Sequence, residues 1–484
     1  MKHYCNPMNL EYRFQFLKRP EYGGDNDLYN VNREAADPSL VLFKNMYYLF
    51  PSMTAGFFTS EDLYAWEYYE LSKDMPVYDY SPDVRVIGEY LYFCASAKEK
   101  TCCFYRSKDP TREPFEKLEG QLSFWDPNLF FDDDGKLYFY WGCSDKEPIY
   151  GTELDPDSMK FLNEKKALIT SHEEVRGYER AGEEHKAFDG KRNPPYLEGP
   201  WMTKYGGKYY LQYAIPGTEY NVYGDGVYVG ETPLGPFKPA RNNPYSYKPG
   251  GFVTGAGHGS TLQDKQGQYW HTSCLRISVN DKFERRLGLW KAGFDKDGEL
   301  YCDQRYGDWP VALDAKPFDQ PDWMLLSYGK KVRVSSGRGA EHITDENIRT
   351  FWKAGSCLPG QWVELDLGGI RAVYAVQINF QEDGIRQKLP EGETARILPD
   401  EERWLDTRQH YTRWLLEGSV DGADWFVLED KRQCETDLPH DFIESEEGIE
   451  LRFLRLTIEE VPFYVPPCIS GLRVFGKSSG EKPS

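Results

Sequence analysis

No stretch of this 484-residue chain approaches the ~20 apolar residues that a bilayer crossing needs, and its first ten residues, MKHYCNPMNL, lack the apolar core of an export signal. A membrane partner is therefore not expected. If Met1 is the native start, the expected location is cytoplasmic; a signal peptide removed upstream would place the protein in the periplasm or outside the cell. Positive charge is scarce too: 58 Lys and Arg against 78 Asp and Glu leave a net charge of −20 and a sequence pI of about 5.0. No basic cluster offsets that repulsion, which argues against nucleic acid. The ten cysteines show neither CxxC spacing nor a disulfide framework, so free and mostly buried thiols are expected. With no Gly-rich loop between a strand and a helix and no His/Cys cluster, no organic cofactor and no zinc site are expected. Nothing in the sequence bears on oligomeric state.

What the chain has is aromatic strands. Phe, Trp and Tyr make up 15% of it, which suits strands packed face to face and also suits sugar-binding surfaces. From about residue 35 to 315, short β-branched or aromatic runs are closed by Gly, Asp-Gly or Asn-Pro, and no long amphipathic helix intervenes. Five times an acidic or imidazole side chain precedes an aromatic hairpin: Asp37 before Asn45-Met46-Tyr47-Tyr48, Asp83 before Gly88-Glu89-Tyr90, Asp126 before Gly135-Lys136-Leu137-Tyr138, Glu198 before Gly207-Lys208-Tyr209-Tyr210, and His258 before Gly267-Gln268-Tyr269-Trp270. Four of these lead the turn by eight or nine positions; Asp83 leads by five. A unit of this size cannot bury its own apolar face, so the copies must stack or close. Five copies predict a five-bladed β-propeller, with Asp37, Asp126, Glu198 and His258 meeting near its axis.

Prolines at 310, 317 and 321 mark a change of rhythm. They suggest a propeller over residues 1–320 and a second all-β domain, a β-sandwich of jelly-roll type, over 327–476, with a free tail from 477 to 484. A polar stretch over about 172–195, just before Glu198, reads as a loop at the rim of the central cavity.

Cleaving a glycosidic bond needs a proton donor at the leaving oxygen and a second carboxylate on the far face of the sugar. Asp37, Asp126 and Glu198 supply that pair and one carboxylate to tune it, since nearby like charges raise a pKa. Glu34-Ala35-Ala36-Asp37-Pro38-Ser39-Leu40, Asp126-Pro127-Asn128-Leu129-Phe130-Phe131, Glu198-Gly199-Pro200 and Gly255-Ala256-Gly257-His258-Gly259-Ser260 resemble glycoside hydrolase family 43, five-bladed propellers that hydrolyse arabinosides, xylosides and some galactosides with inversion. The resemblance covers about residues 25 to 310. It implies Asp37 as general base, Glu198 as general acid and Asp126 as the residue that holds and tunes the acid. His258 matches an axial histidine that in many members ligates a structural ion or its water shell, so structural calcium is one expectation. Trp201 stands where many members carry His. Trp125, beside Asp126, is a candidate for stacking on sugar, and a substrate-facing arginine is expected among Arg276, Arg285 and Arg286, with Arg286 chosen.

The tail domain resembles the discoidin, or factor 5/8 type C, module. The match runs through Val334-Ser335-Ser336, Asp345-Glu346-Asn347, Gln361-Trp362-Val363-Glu364-Leu365-Asp366-Leu367-Gly368, Gly418-Ser419-Val420-Asp421-Gly422 and the closing Leu472-Arg473-Val474-Phe475-Gly476. Sugar binding and bracing of the enzyme are both open to such a module, Asp345 offers a second calcium candidate, and a polar insertion occupies 381–409. Together the expectations are an exo-acting hydrolase of plant-type oligosaccharides, most nearly an α-L-arabinofuranosidase, with β-xylosidase, galactosidase or galactofuranosidase as alternatives. A non-catalytic propeller lectin is the reading from another class.

Overall fold

The computed structural model describes residues 2–18, 27–72, 75, 81–97, 101–120, 122–186, 194–392, 394–398 as backbone, and 403–478. Five antiparallel meanders of four strands in chain order, the fourth with the short strand Ser246–Tyr247 added to it, follow one another as five blades. Their first strands are Ala36–Phe43, Asp83–Ile87, Asn128–Phe131, Glu198–Tyr205 and Thr254–Gln263. The hairpin turns are written in the sequence. Lys44 and Asn45 (φ 47° and 67°) and Gly206 and Gly207 (φ 56° and 77°) supply the two left-handed residues a tight two-residue turn requires.

One hydrophobic cluster fills each seam between blades, and the last of them closes the ring. In it Trp270, Leu287 and Leu289 of the fifth blade pack on Leu40, Tyr47, Leu49 and Phe58 of the first, with Met8, Leu10 and Tyr12 of the N-terminal segment laid over the seam. A second device repeats around the same ring. Ser39 Oγ accepts the Val84 N–H at 3.0 Å, Asp83 Oδ2 accepts Leu129 N–H at 2.7 Å, and Asn128 Oδ1 accepts Met202 N–H at 2.9 Å. Trp201 Nε1 then donates to the Thr261 carbonyl at 3.2 Å, and Ser260 Oγ accepts Leu40 N–H at 3.0 Å. Each blade thus fixes the inner strand of the next, and the fifth fixes the first. The inner strands are sheet edges, and these bonds from one blade to the next protect them at the axis.

The second domain is a sandwich made largely by two strands of 21 residues, Gln361–Gln381 and His440–Glu460. Register breaks near Asp366 and Val373 bend the first of them, so that its leading half pairs with Lys331–Val334 and its trailing half with Cys468–Ser478. Val363, Leu365, Val376, Ile378, Trp414, Leu454, Leu456 and Leu472 fill the space between. Among the described residues no helix is long and apolar enough to cross a membrane. No disulfide joins any of the ten cysteines, and only Cys357 is exposed. Residues 479–484 of the expected tail lie outside the described residues.

The division at 320 is crossed by the chain itself. Phe14–Leu17 and Tyr29–Arg33, ahead of the first blade, join one five-stranded sheet with Arg386–Gln387, Thr394–Leu398 and Arg403–Asp406 from the polar insertion. The insertion is therefore in part a sheet that receives the N-terminal hairpin. Arg33, Arg286, Arg403 and Arg473 are among the largest fully buried side chains, and all four lie where the two domains meet. Arg33, for example, pairs with Glu382 at 2.6 Å and Asp437 at 2.8 Å. Removing one partner from a buried ion pair strands the others in low dielectric, at about 3–5 kcal/mol. Arg33→Met is therefore expected to lower the urea midpoint sharply, while Arg432→Met, which breaks only a surface pair with Asp430, leaves it near the parent's; equal midpoints would deny the interface its role.

Candidate active site

At the head of each blade one residue takes left-handed backbone: Asp37 (φ 47°), Ser81 (61°), Asp126 (49°), Gly199 (58°) and His258 (50°). Four of the five are not glycine, so the ring holds a strained conformation at about 1–3 kcal/mol each, as functional sites do. The strain re-aims these side chains onto one spot. His258 Nε2 bonds Ser81 Oγ at 2.8 Å, and its Nδ1 lies 3.4 Å from Asp37 Oδ1 and 3.8 Å from Asp126 Oδ2. A Cβ on Gly199 would sit 2.8 Å from the same ring, so only glycine fits there.

Asp83 is not at this hub. It belongs to the blade-to-blade series two positions further on, where Asn128 Nδ2 and the Leu129 N–H occupy its oxygens. That explains its short spacing from the turn, and Ser81 takes the axial place in the second blade. Trp201 belongs to the same latch series and carries the Arg85 guanidinium 3.7 Å over its ring.

The three carboxylates experience different environments. Asp37 is 4% exposed. Burial favours its neutral form, but the Arg285 guanidinium at 3.2 Å, His258, the Ser52 hydroxyl at 2.6 Å and the Cys274 thiol outweigh it, and the carboxyl is held below its usual value. Asp126 is pushed up to about 7 by burial, opposed by His258 and reinforced by the charges of Glu198 and Asp37. Its Oδ2 accepts the Gly199 N–H at 3.1 Å and so holds the backbone next to Glu198. Glu198 is also raised, by burial first and then by Asp37, although the Tyr223 hydroxyl at 2.5 Å and the Cys143 thiol at 3.3 Å favour its charge. Burial opposes a proton on His258, but Asp37, Asp126 and Glu198 prevail and raise it. Around one histidine, Asp37 is thus pushed toward its ionised form and Glu198 toward its protonated form, the direction of separation that acid and base roles need.

Arg286 does not reach this pocket. Its guanidinium is wholly buried at the domain interface, donating to His440 Nε2 and to the Arg33 and Arg285 carbonyls. Alternation along a strand sends neighbours to opposite faces, and it is Arg285 that faces Asp37. Arg276, opposite Arg285 in the hairpin, binds Glu183 at 2.5 Å. That contact anchors the loop before Glu198, as does buried Glu179, which accepts the Tyr213 hydroxyl at 2.7 Å; residues 187–193 of the loop lie outside the described residues. Trp125 is half-buried beside Asp126.

The side-chain donors that the described residues place near His258 are mixed and not all oxygen. Calcium takes six to eight oxygens, whereas Nε2 is bonded to Ser81, and the one grouping of potential ligands found among the described residues, Asp126, Cys143 and Glu198, includes a thiol. Asp345 is likewise engaged within its own loop, by Thr350, His342 and the Asn347 N–H. No step below depends on an ion.

Sequence reasoning missed Ser52, Ser81, Cys143, Tyr223 and Cys274. Ser52 and Cys274 stand across their hairpins from Ala36 and Gly257, next to the blade heads, so pairing each blade head with its cross-strand position would have found them.

The sequence model described as "Glycosyl hydrolases family 43" matches residues 31–300. "Xylosidase/arabinosidase 43A" of Humicola insolens is 29% identical over 246 residues, 44% of this chain and 71% of that protein. "Beta-xylosidase" of Xylanibacter ruminicola is 30% identical over 173 residues, 31% of this chain and 52% of that protein. A solved structure named "Glycoside hydrolase" superimposes with a TM-score of 0.50 at 17% identity, covering 91% of this chain and 97% of its own, a likeness of fold.

Proposed function

The chain belongs to glycosyl hydrolases family 43, and we propose on that basis that it releases terminal sugars from plant-type oligosaccharides with inversion, as an α-L-arabinofuranosidase. Removal of a terminal β-D-xylosyl unit is the second reading, favoured by the xylosidase names of both relatives. The observation that carries the proposal is the opposed environment of two carboxylates near His258: Arg285 favours the ionised form of Asp37, and burial favours the protonated form of Glu198. Asp37 acts as general base on a water, Glu198 delivers its proton to the leaving oxygen, and Asp126 fixes the Glu198 backbone through the Gly199 N–H. Exo action is part of the same reading; its support is the anchoring of the loop before Glu198, through Glu179 to Tyr213 and through Glu183 to Arg276.

Hydrolysis of a panel of aryl glycosides tests the substrate: α-L-arabinofuranoside, β-D-xyloside, β-D-galactopyranoside and β-D-galactofuranoside. Turnover of the arabinofuranoside alone, or well ahead of the rest, is expected. Silence across the panel with retained binding on a sugar array would instead identify a lectin.

The pH profile follows from the same environments. Activity requires Asp37 ionised, so the acid limb lies low; it requires Glu198 protonated, so the alkaline limb lies above the usual carboxylate range. The Tyr223 hydroxyl stabilises ionised Glu198, so Tyr223→Phe raises the acid's pKa further and moves the alkaline limb to higher pH. A limb that stays, or falls, in the kcat/KM profile would remove Glu198 from the acid role.

A further inference from the structure

The strand Arg403–Asp406 belongs to the insertion in the sandwich domain, far in sequence from the catalytic blades, yet its first side chain ends beside the active site. Arg403 lies opposite Leu17 in the shared sheet and is 1% exposed. Its Nε donates to Gln15 Oε1 at 2.7 Å, and its Nη2 donates to Glu34 Oε2. The other oxygen of Glu34 accepts Arg285 Nε at 3.0 Å and Nη2 at 2.5 Å. Arg285 Nη1 then reaches Asp37 Oδ1 at 3.2 Å. Arg403, Glu34, Arg285 and Asp37 form a row of alternating charge, neutral as a whole, in which no member is more than 4% exposed.

We propose that Arg403 is a positioning residue for catalysis, and that the sandwich domain serves the enzyme by neutralising Glu34 so that Arg285 remains available to Asp37. The proposal rests on the assignment of Asp37 as the base. Without Arg403 the row carries a net negative charge in a site with little water, and one guanidinium must serve two carboxylates. Both effects act in the same direction: they make ionised Asp37 less favourable. The other titratable groups facing Asp37 stay in place: His258 and Cys274 of the fifth blade, Asp126 and Cys143 of the third, and Glu198 and Tyr223 of the fourth.

The test is the kcat/KM–pH profile of the full-length protein with an aryl glycoside, with thermal melting recorded in parallel. Arg403→Met is expected to move the acid limb to higher pH by roughly one unit, the size of effect one adjacent charge exerts. Arg403→Lys, which keeps the charge, should return most of the shift, and Arg403→Met combined with Glu34→Gln should restore the parent limb. An Arg403→Met protein that melts lower but keeps the parent limb would show a merely structural residue and overturn the proposal. Should Arg403→Met not fold, Glu34→Gln alone decides: removing the negative charge must move the acid limb to lower pH, and an unmoved or raised limb overturns the proposal. If Asp37→Asn retains full activity, the base assignment has failed instead, a separate result from an unmoved limb in an enzyme that Asp37→Asn inactivates.

Discussion

Asp37→Asn is expected to abolish turnover of good and poor substrates alike, lowering kcat/KM by about 10²–10⁴-fold, the usual contribution of a positioned base. Water must be activated whatever leaves, so improving the leaving group cannot compensate. The amide preserves the shape of the carboxyl: its single oxygen can accept from Arg285 where Oδ1 stands, at 3.2 Å, and its NH2 can donate to the Ser52 hydroxyl, which lies 2.6 Å from Oδ2. The folded state should therefore persist, with an unchanged circular dichroism spectrum. Comparable loss on an activated and an unactivated substrate is the signature to look for. A loss confined to poor leaving groups would mean that Asp37 donates a proton, with the two roles exchanged.

Glu198→Gln should behave differently. On a natural oligosaccharide or an alkyl glycoside, where the departing oxygen must be protonated, kcat is expected to fall on the order of 10²–10⁴-fold. On an aryl glycoside whose phenolate leaves unaided, the loss should be small. The variant should also lose the alkaline limb of its pH profile, because the group whose ionisation sets that limb is gone. Gln can still accept the Tyr223 hydroxyl, and Cys143 loses only a weak thiol contact, so stability should be little changed. Equal losses across leaving groups would exclude Glu198 as the acid.

Much of the site was legible because its signal is periodic. Asp37, Asp126 and His258 keep nearly constant spacing to a hairpin turn, and that spacing reflects a shared backbone feature, the left-handed residue at each blade head. Glu198 precedes that position by one residue because Gly199 must yield to the His258 ring. The repeat carries two polar series only two positions apart; the shorter lead of Asp83 sets it off from the four axial residues in the sequence, but only the fold shows that its oxygens latch the third blade. Arg286 was a failure of parity: with Arg285 beside it on one strand, a register error of one residue exchanges the pocket for the domain interface. The sheet that joins residues 14–33 to 386–406 was out of reach for a different reason. Its strands are short and its two halves several hundred residues apart in sequence, so neither periodicity nor a turn signal links them, and only the folded chain brings Arg403 to Glu34.

The relation between Asp37 and Glu198 is tested most directly by the anomeric configuration of the first sugar released, followed by proton NMR before mutarotation. A base acting through water delivers that water to the face opposite the leaving group, so an α-L-arabinofuranoside should yield β-L-arabinose first, and any other glycoside turned over should yield its opposite anomer. First appearance of the substrate's own anomer would mean that a carboxylate attacks the sugar directly, and the roles assigned to Asp37 and Glu198 would be wrong.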